Sequence, residues 1–325
     1  MNIQVVGAGG WGLALARLLS LNGHAVRVWC RDEDRPDALR ETRESPALLP
    51  GVFLPAGVEI TRDVDADADI AVLAVPSHAM RSIVTRYPFS ARTIRVSVAK
   101  GIENETLLRM DEVIREVSGP CTVVALSGPS HAEEVGRDKP ASVVVAGADP
   151  VACRVAQDAF MSKTFRVYTS PDIAGVELGG ALKNVIAIAA GVCDGFELGD
   201  NAKAALITRG LAEITRLGVA LGADPLTFAG LSGMGDLIVT CASRHSRNRA
   251  LGERIARGQT LEQILGSSPM VAEGVRTTRS ARDLAARHGV EVPITEQVYE
   301  VLYAGADPGR AVLALMSRDA KPERG

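Results

Sequence analysis

Asn2-Ile3-Gln4-Val5-Val6-Gly7-Ala8-Gly9-Gly10-Trp11-Gly12-Leu13-Ala14-Leu15-Ala16 decides the fold. An apolar run of strand type ends in a glycine cluster, and an apolar helical pattern follows at once. This is G-x-G-x-x-G in the strand–turn–helix setting that gives the motif its meaning. Gly7 permits the tight turn, Gly9 lets a pyrophosphate approach the backbone, and Gly12 lets the helix pack close to its strand. The start of the helix then offers unpaired N–H groups and a positive dipole end to phosphates. A glycine-rich hairpin turn would not be followed by a helical segment, so the stretch reads as dinucleotide-binding.

Working outward, strand-like runs recur at Ile3–Val6, Ala25–Cys30, Asp69–Val75, Thr93–Val98, Thr122–Leu126, Ser142–Ala146 and Phe165–Tyr168. Several are short, continuously apolar and rich in Val and Ile, as strands buried on both faces are. Helical patterns at Trp11–Asn22, His78–Arg86 and Glu105–Glu116 lie between some of them. The alternation predicts an α/β class, with an N-terminal Rossmann-type doubly wound sheet. Period-2 alternation then stops. From Pro171 the pattern is helical: Asp172–Cys193, Asn201–Leu221, Asn248–Arg257, Thr260–Leu265, Val275–His288 and Pro293–Tyr303. The expected organisation is a dinucleotide-binding domain over residues 1–170 and an all-α substrate and catalytic domain over 171–325.

Bulk properties narrow the class. The chain has 325 residues and a net charge of −3, which implies no bulk attraction to nucleic acid or membrane. Its 5 cysteines are scattered, odd in number and without C-x-x-C spacing, so a reducing, cytoplasmic setting is expected rather than a disulfide framework. The most apolar stretch, Val185–Val192, is too short to span a bilayer, and Met1 leads straight into a strand with no signal peptide. The 5 histidines are dispersed without metal-ligand spacing, so no metal is expected.

Several segments carry chemistry. Trp29-Cys30-Arg31-Asp32 stands where the second strand should reach the adenosine ribose. There an acid accepts from ribose hydroxyls and an arginine pairs a 2′-phosphate. With both present, NAD and NADP are both expected, with a tilt to NADP. Val75-Pro76-Ser77 ends another strand and faces the nicotinamide half on this reading. Lys100 follows the strand around Val96–Val98, where a point charge enters the cleft and suits an anionic or carbonyl substrate. Ser127-Gly128-Pro129-Ser130-His131-Ala132 offers backbone N–H groups and a hydroxyl; His131 is a weaker acid/base candidate. Lys183 and Asn184 interrupt an apolar, small-residue helix. A buried ammonium is costly unless it is paired or functional, and burial beside another lysine lowers its pKa toward neutrality. Gly230-Leu231-Ser232-Gly233-Met234-Gly235-Asp236 delivers one acid. Ser243-Arg244-His245-Ser246-Arg247-Asn248 gathers charge, hydroxyl and amide at a helix start, a phosphate-binding combination.

Together these segments resemble the bacterial-type NAD(P)-dependent glycerol-3-phosphate dehydrogenases, from Gly7 to about Tyr303, in order and spacing; Ala272-Glu273-Gly274 completes the set. The resemblance implies reversible hydride transfer between NAD(P)H and dihydroxyacetone phosphate, giving sn-glycerol 3-phosphate for phospholipid synthesis, in a cytoplasmic homodimer. It implies Lys183 as general acid/base, with Lys100 and Asp236 completing the catalytic set. Substrate contacts would come from Lys100, Gly128, Ser130, Lys183, Asp236, Ser246, Arg247 and Asn248. Cofactor contacts would come from Gly10, Trp11, Arg31, Lys100, Ala132, Arg247, Val271 and Glu273, beside Gly7, Gly9 and Gly12. The chain departs from the family pattern at Gly10, where serine is usual, and at Leu13, often threonine. Glycine at position 10 forgoes one side-chain contact to the pyrophosphate. Two other readings remain open: a related two-domain dehydrogenase of another hydroxy acid, which the phosphate cluster disfavours, and a non-catalytic NAD(P)-binding protein, which the buried lysine disfavours.

Overall fold

The computed structural model describes residues 1–34, 36–267, 273–320 and 322–323. Strand β1 (Asn2–Val6) runs into helix α1 (Gly10–Leu21), followed by β2 (Ala25–Trp29), α2 (Pro36–Thr42), β3 (Glu59–Thr61), β4 (Ile70–Leu73), α3 (Met80–Arg86), β5 (Ile94–Ser97) and α4 (Met110–Ser118). Then come β6 (Val123–Ser127), α5 (Ala132–Val135), β7 (Ala141–Ala146), α6 (Pro150–Phe160) and β8 (Phe165–Ser170). The strands form one sheet in the order β3-β2-β1-β4-β5-β6-β7-β8. Every neighbouring pair is parallel except β6 with β7. The short α5 link turns the chain back without a full crossover. Helices cover both faces: one core gathers α1 and α6, the other α3 and α4. Strand order reverses between β1 and β4, which opens the crevice where ligands of such sheets bind.

The remaining elements are helical. They are α7 (Ile173–Gly195), α8 (Gly199–Ala220), α9 (Pro225–Phe228), α10 (Asp236–Ala242), α11 (Arg247–Ala256), α12 (Leu261–Gly266), α13 (Glu273–His288), α14 (Pro293–Tyr303) and α15 (Pro308–Met316). Helix α7 is the axis of this half. It is long and apolar enough to cross a membrane by length and composition, but 94% of its most apolar window is buried inside the protein. Pro225–Ala242 passes the same test of length and composition, yet it is broken into α9, a π-helical turn at Leu231–Gly235 and α10. Glycines let α7 approach its neighbours closely. A Cβ on Gly191 would overlap the Arg249 carbonyl, and one on Gly252 the Ile188 carbonyl, so α7 and α11 touch backbone to backbone.

Three expectations shift. Glu105–Glu116 does not begin a helix at Glu105, because Leu107 takes φ +63° and the Glu103 carboxylate ties down Thr106; α4 starts at Met110. His78–Arg86 opens with a 3₁₀ turn over Ser77–Ala79 before α3. Strand β3, with α2, α6, α9, α10 and α15, was not anticipated; β3 is only 3 residues long and shows no resolvable period. All five cysteines are free thiols.

Candidate functional site

The glycine turn sits at the reversal point. Gly7 has φ +116°, and a Cβ there would lie 2.5 Å from the Ala74 carbonyl that follows β4. Its amide donates to the Trp29 carbonyl at 3.2 Å, which ties the turn to the end of β2. A Cβ on Gly12 would overlap the Gly7 carbonyl, so strand and helix meet at van der Waals distance. Gly9 faces open space, with no atom within 4 Å of a Cβ position, and it caps α1 without any side-chain hydrogen bond. Trp11 packs near Phe165, and its indole Nε1 is buried without a partner among the described residues. A cradle free at Gly9, an uncapped helix start and an orphaned indole N–H all fit a dinucleotide. Gly10 is more constrained than the motif suggests. A Cβ there would stand 2.6 Å from the Leu48 carbonyl and 3.8 Å from the Cβ of Ala132, which places Ala132 against the turn.

Past the ends of β5 and β6, α7 docks on the sheet. Gly180 leaves room for it, since a Cβ there would lie 2.6 Å from Ser127 Oγ and 3.5 Å from Lys100 Cγ. This contact brings together a carboxylate and two ammonium groups. Lys183 Nζ donates to Asp236 Oδ1 at 2.5 Å and to Thr240 Oγ1 at 2.6 Å. Lys100 Nζ donates to Asp236 Oδ2 at 2.7 Å and to the Gly128 carbonyl at 3.0 Å. Asp236 thus bridges a lysine from the sheet and a lysine from the helical half. Burial pushes Lys183 down to about 8; Lys100 pushes the same way and Asp236 opposes them. Burial alone would raise the Asp236 carboxyl, but Lys100 and Lys183 hold it below the usual range.

Around this centre, Ser130 Oγ turns back to donate to the Gly128 carbonyl at 2.8 Å. Asn184 donates to the Lys100 carbonyl at 3.2 Å and accepts from Asn248 Nδ2 at 2.9 Å. Asn248 Oδ1 in turn accepts from the Gly274 amide at 3.0 Å, so Asn248 joins α7, α11 and the start of α13. Glu273 receives the Ser77 hydroxyl at 2.7 Å and the Ser77 amide at 3.2 Å, linking α13 to the turn after β4. The 243–247 loop approaches the 127–132 turn through the rings of His245 and His131, 6.0 Å apart. His131 Nε2 is buried without a partner among the described residues, and burial, then Lys183, hold the imidazole pKa below its usual value. Ser246 caps α11, accepting from the Arg249 amide at 3.2 Å, and Arg247 is exposed beside it. Arg31 lies apart from this cluster, at the end of β2, where it pairs with Asp34. Val271 lies outside the described residues.

Sequence reasoning missed Thr240, which holds Lys183 and whose hydroxyl donates to the Asp236 carbonyl at 2.6 Å. Its position four residues after Asp236, on one helical face, was the available signal. It also left Asn184 without a role and did not foresee that Ser77 and Glu273 would meet.

A nucleotide-type cleft facing a buried carboxylate and two lysines defines a two-domain NAD(P)-dependent oxidoreductase. Residues 2–153 match the family described as NAD-dependent glycerol-3-phosphate dehydrogenase N-terminus, and residues 172–313 its C-terminus. A glycerol-3-phosphate dehydrogenase [NAD(P)+] of Moorella thermoacetica is 55% identical, covering 98% of this chain and 96% of its own. That of Pelotomaculum thermopropionicum is 53% identical, covering 97% and 93%. The crystal structure of glycerol-3-phosphate dehydrogenase from Coxiella burnetii superposes with a TM-score of 0.93 at 35% identity, covering 98% of this chain and 99% of that one. The chain belongs to the NAD-dependent glycerol-3-phosphate dehydrogenase family.

Proposed function

We propose that the protein interconverts dihydroxyacetone phosphate and sn-glycerol 3-phosphate with NAD(P)H, the product serving phospholipid synthesis. The observation that carries the reading is the Lys183–Asp236–Lys100 constellation, with Lys100 just past the end of β5. The nicotinamide, when bound, supplies or takes the hydride. Lys183, as ammonium, gives a proton to the C2 oxygen of the ketone; in the reverse direction its amine takes that proton. A value near 8 suits both directions, because a group working as acid and base needs a pKa close to the operating pH. Lys100 stabilises negative charge on the same oxygen or holds the hydroxyl end of the substrate. Asp236 orients both lysines. Arg247 and the Ser246 hydroxyl hold the phosphate at the start of α11. Gly128 and Ser130 contact the substrate from the opposite turn. Asn248, engaged with Asn184 and Gly274, fixes the frame on which α11 presents that phosphate site.

Gly7, Gly9, Gly10, Trp11, Gly12 and Ala132 would hold the pyrophosphate and its flanks, and Arg31 the adenosine end. Glu273 and Val271 are the further cofactor contacts that the family resemblance implies. Both NAD and NADP are taken on this reading, with division of labour between residues 1–170 and 171–325. A cytoplasmic homodimer is the assembly and setting that the family resemblance implies. Steady-state kinetics with NADH and NADPH test the substrate assignment. Turnover of dihydroxyacetone phosphate, with ketopantoate and 3-oxo acids far behind, is the expected result. Faster turnover of an unphosphorylated ketone, or cofactor binding with no turnover, would refute it.

A further inference from the structure

The end of β2 holds an ion-pair arrangement that bears on which cofactor the protein prefers. Arg31 is the arginine just past the end of β2, the position from which a guanidinium can pair with a 2′-phosphate. Its guanidinium is turned onto Asp34: Nη2 donates to Oδ1 at 2.9 Å and Nε to Oδ2 at 3.2 Å. The Arg31 amide donates to the same Oδ2 at 3.0 Å, so one carboxylate grips both ends of the residue. Glu33 Oε2 stands 3.9 Å from Arg31 Nε. The neighbouring cation, Arg62 after β3, is occupied as well, donating at 2.8 Å to Asp32 and at 2.8 Å to Asp37. Arg40 also pairs with Asp37. Among the described residues, four carboxylates therefore face three guanidinium groups at this corner.

We infer that Asp34 is a specificity-determining residue: it holds Arg31 in a closed pair and so restrains the affinity of the site for a 2′-phosphate. A cofactor with a free 2′-hydroxyl leaves the pair intact and can donate to a carboxylate. A cofactor with a 2′-phosphate must draw Arg31 away from two hydrogen bonds and lie beside the anion left behind. The tilt to NADP that Arg31 alone would give is thereby opposed, and both cofactors are admitted. This rests on the proposal above that the adenosine ribose docks at the end of β2.

The test is calorimetric titration of the full chain with adenosine 2′,5′-bisphosphate and adenosine 5′-phosphate. Asp34→Asn removes the charge but keeps an oxygen for the Arg31 amide. It should tighten the bisphosphate about fivefold, the order expected for one partly solvated charge near a phosphate. The monophosphate should change by less than about twofold, and the gain should shrink in ~0.5 M salt as screening sets in. Asp34→Ser, which also offers an oxygen, should act in the same direction. Arg31→Gln should weaken the bisphosphate selectively. If Arg31→Gln does so while both Asp34 variants leave the ratio of the two affinities unchanged, the restraint is refuted. If Arg31→Gln leaves the bisphosphate unaffected, the docking position itself is refuted.

Discussion

Replacing Asp236 by Asn removes the anion that Lys183 and Lys100 share. Lys183 Nζ lies 2.5 Å from Asp236 Oδ1. At an effective dielectric of about 20, opposite unit charges at that separation attract by about 6–7 kcal/mol. Water entry and side-chain relaxation recover much of this. If a third is lost, about 2 kcal/mol, the Lys183 pKa falls by about 1.5 units. Burial and Lys100 already hold the group at about 8, so without the Asp236 charge it titrates lower still. The sign follows from the roles. Reduction of the ketone needs the ammonium, so its kcat/KM should begin to fall at a pH about 1.5 units lower than in the parent. Oxidation of the alcohol needs the amine, so its rising limb should move to lower pH by the same amount. Both maxima will drop, because Asp236 also fixes the two lysines in place. The diagnostic is therefore the position of the limbs, measured in both directions over a pH range of roughly 5 to 10 that brackets them. Limbs that stay near 8, or move to higher pH, would refute both the assignment of Lys183 and the electrostatic balance described for it.

Lys100→Met should move the same limbs the other way, since removing the neighbouring cation relieves its downward push on Lys183; an acid-going shift would contradict this. Gly10→Ser should not improve cofactor binding despite supplying the hydroxyl usual in the family. Its Cβ would stand 2.6 Å from the Leu48 carbonyl, and accommodating it should cost about 1–3 kcal/mol. Urea unfolding and NADH fluorescence titration would read this; tighter binding at unchanged stability would be the contrary result. Gly252→Ala gains about 1 kcal/mol of helix propensity but drives its methyl into the Ile188 carbonyl of α7. Backbone cannot swing aside as a side chain can, so a net loss of about 2 kcal/mol is expected in urea unfolding, and equal or greater stability would overturn the packing argument.

How much of this was legible in the sequence depends on how local each signal is. The β1–glycine–α1 unit could be read directly because strand period, turn residues and helix period lie within fifteen consecutive positions, 2–16. Helix α7 was legible to within two residues at either end, since Asp172 caps it and its apolar run is long. Lys183 stood out because an ammonium has no place in an apolar helix without a partner. The partner was harder to see. Asp236 lies 53 residues away, delivered by a π-helical turn whose glycines carry no periodic pattern. The sequence marked Asp236 as the one acid of a glycine-rich loop, but nothing local tied it to Lys183. The turn before α4 misled because 105–109 are compatible with a helix locally, whereas the Arg81–Glu103 pair, which reaches back to α3, holds Glu103 where Thr106 donates to it and fixes another course. Gly10 illustrates the opposite failure. Its meaning depends on the Leu48 carbonyl, 38 positions further along the chain, which no motif could reveal.

The carboxylate at the centre also couples chemistry to the arrangement of the two halves. Asp236 and Lys183 belong to helices, whereas Lys100 follows the central strand β5, so Lys100–Asp236 is a tie across the cleft. Two further hydrogen bonds run beside it: the Asn184 amide reaches the Lys100 carbonyl, and the Ser77 hydroxyl reaches the Glu273 carboxylate. Opening the cleft by a few ångströms would separate Lys100 from Asp236 while leaving Lys183 paired. The Lys183 pKa would then rise, since the repulsion from Lys100 falls off while the bond to Asp236 persists. The same contacts that assemble the site therefore set the pKa at which it operates.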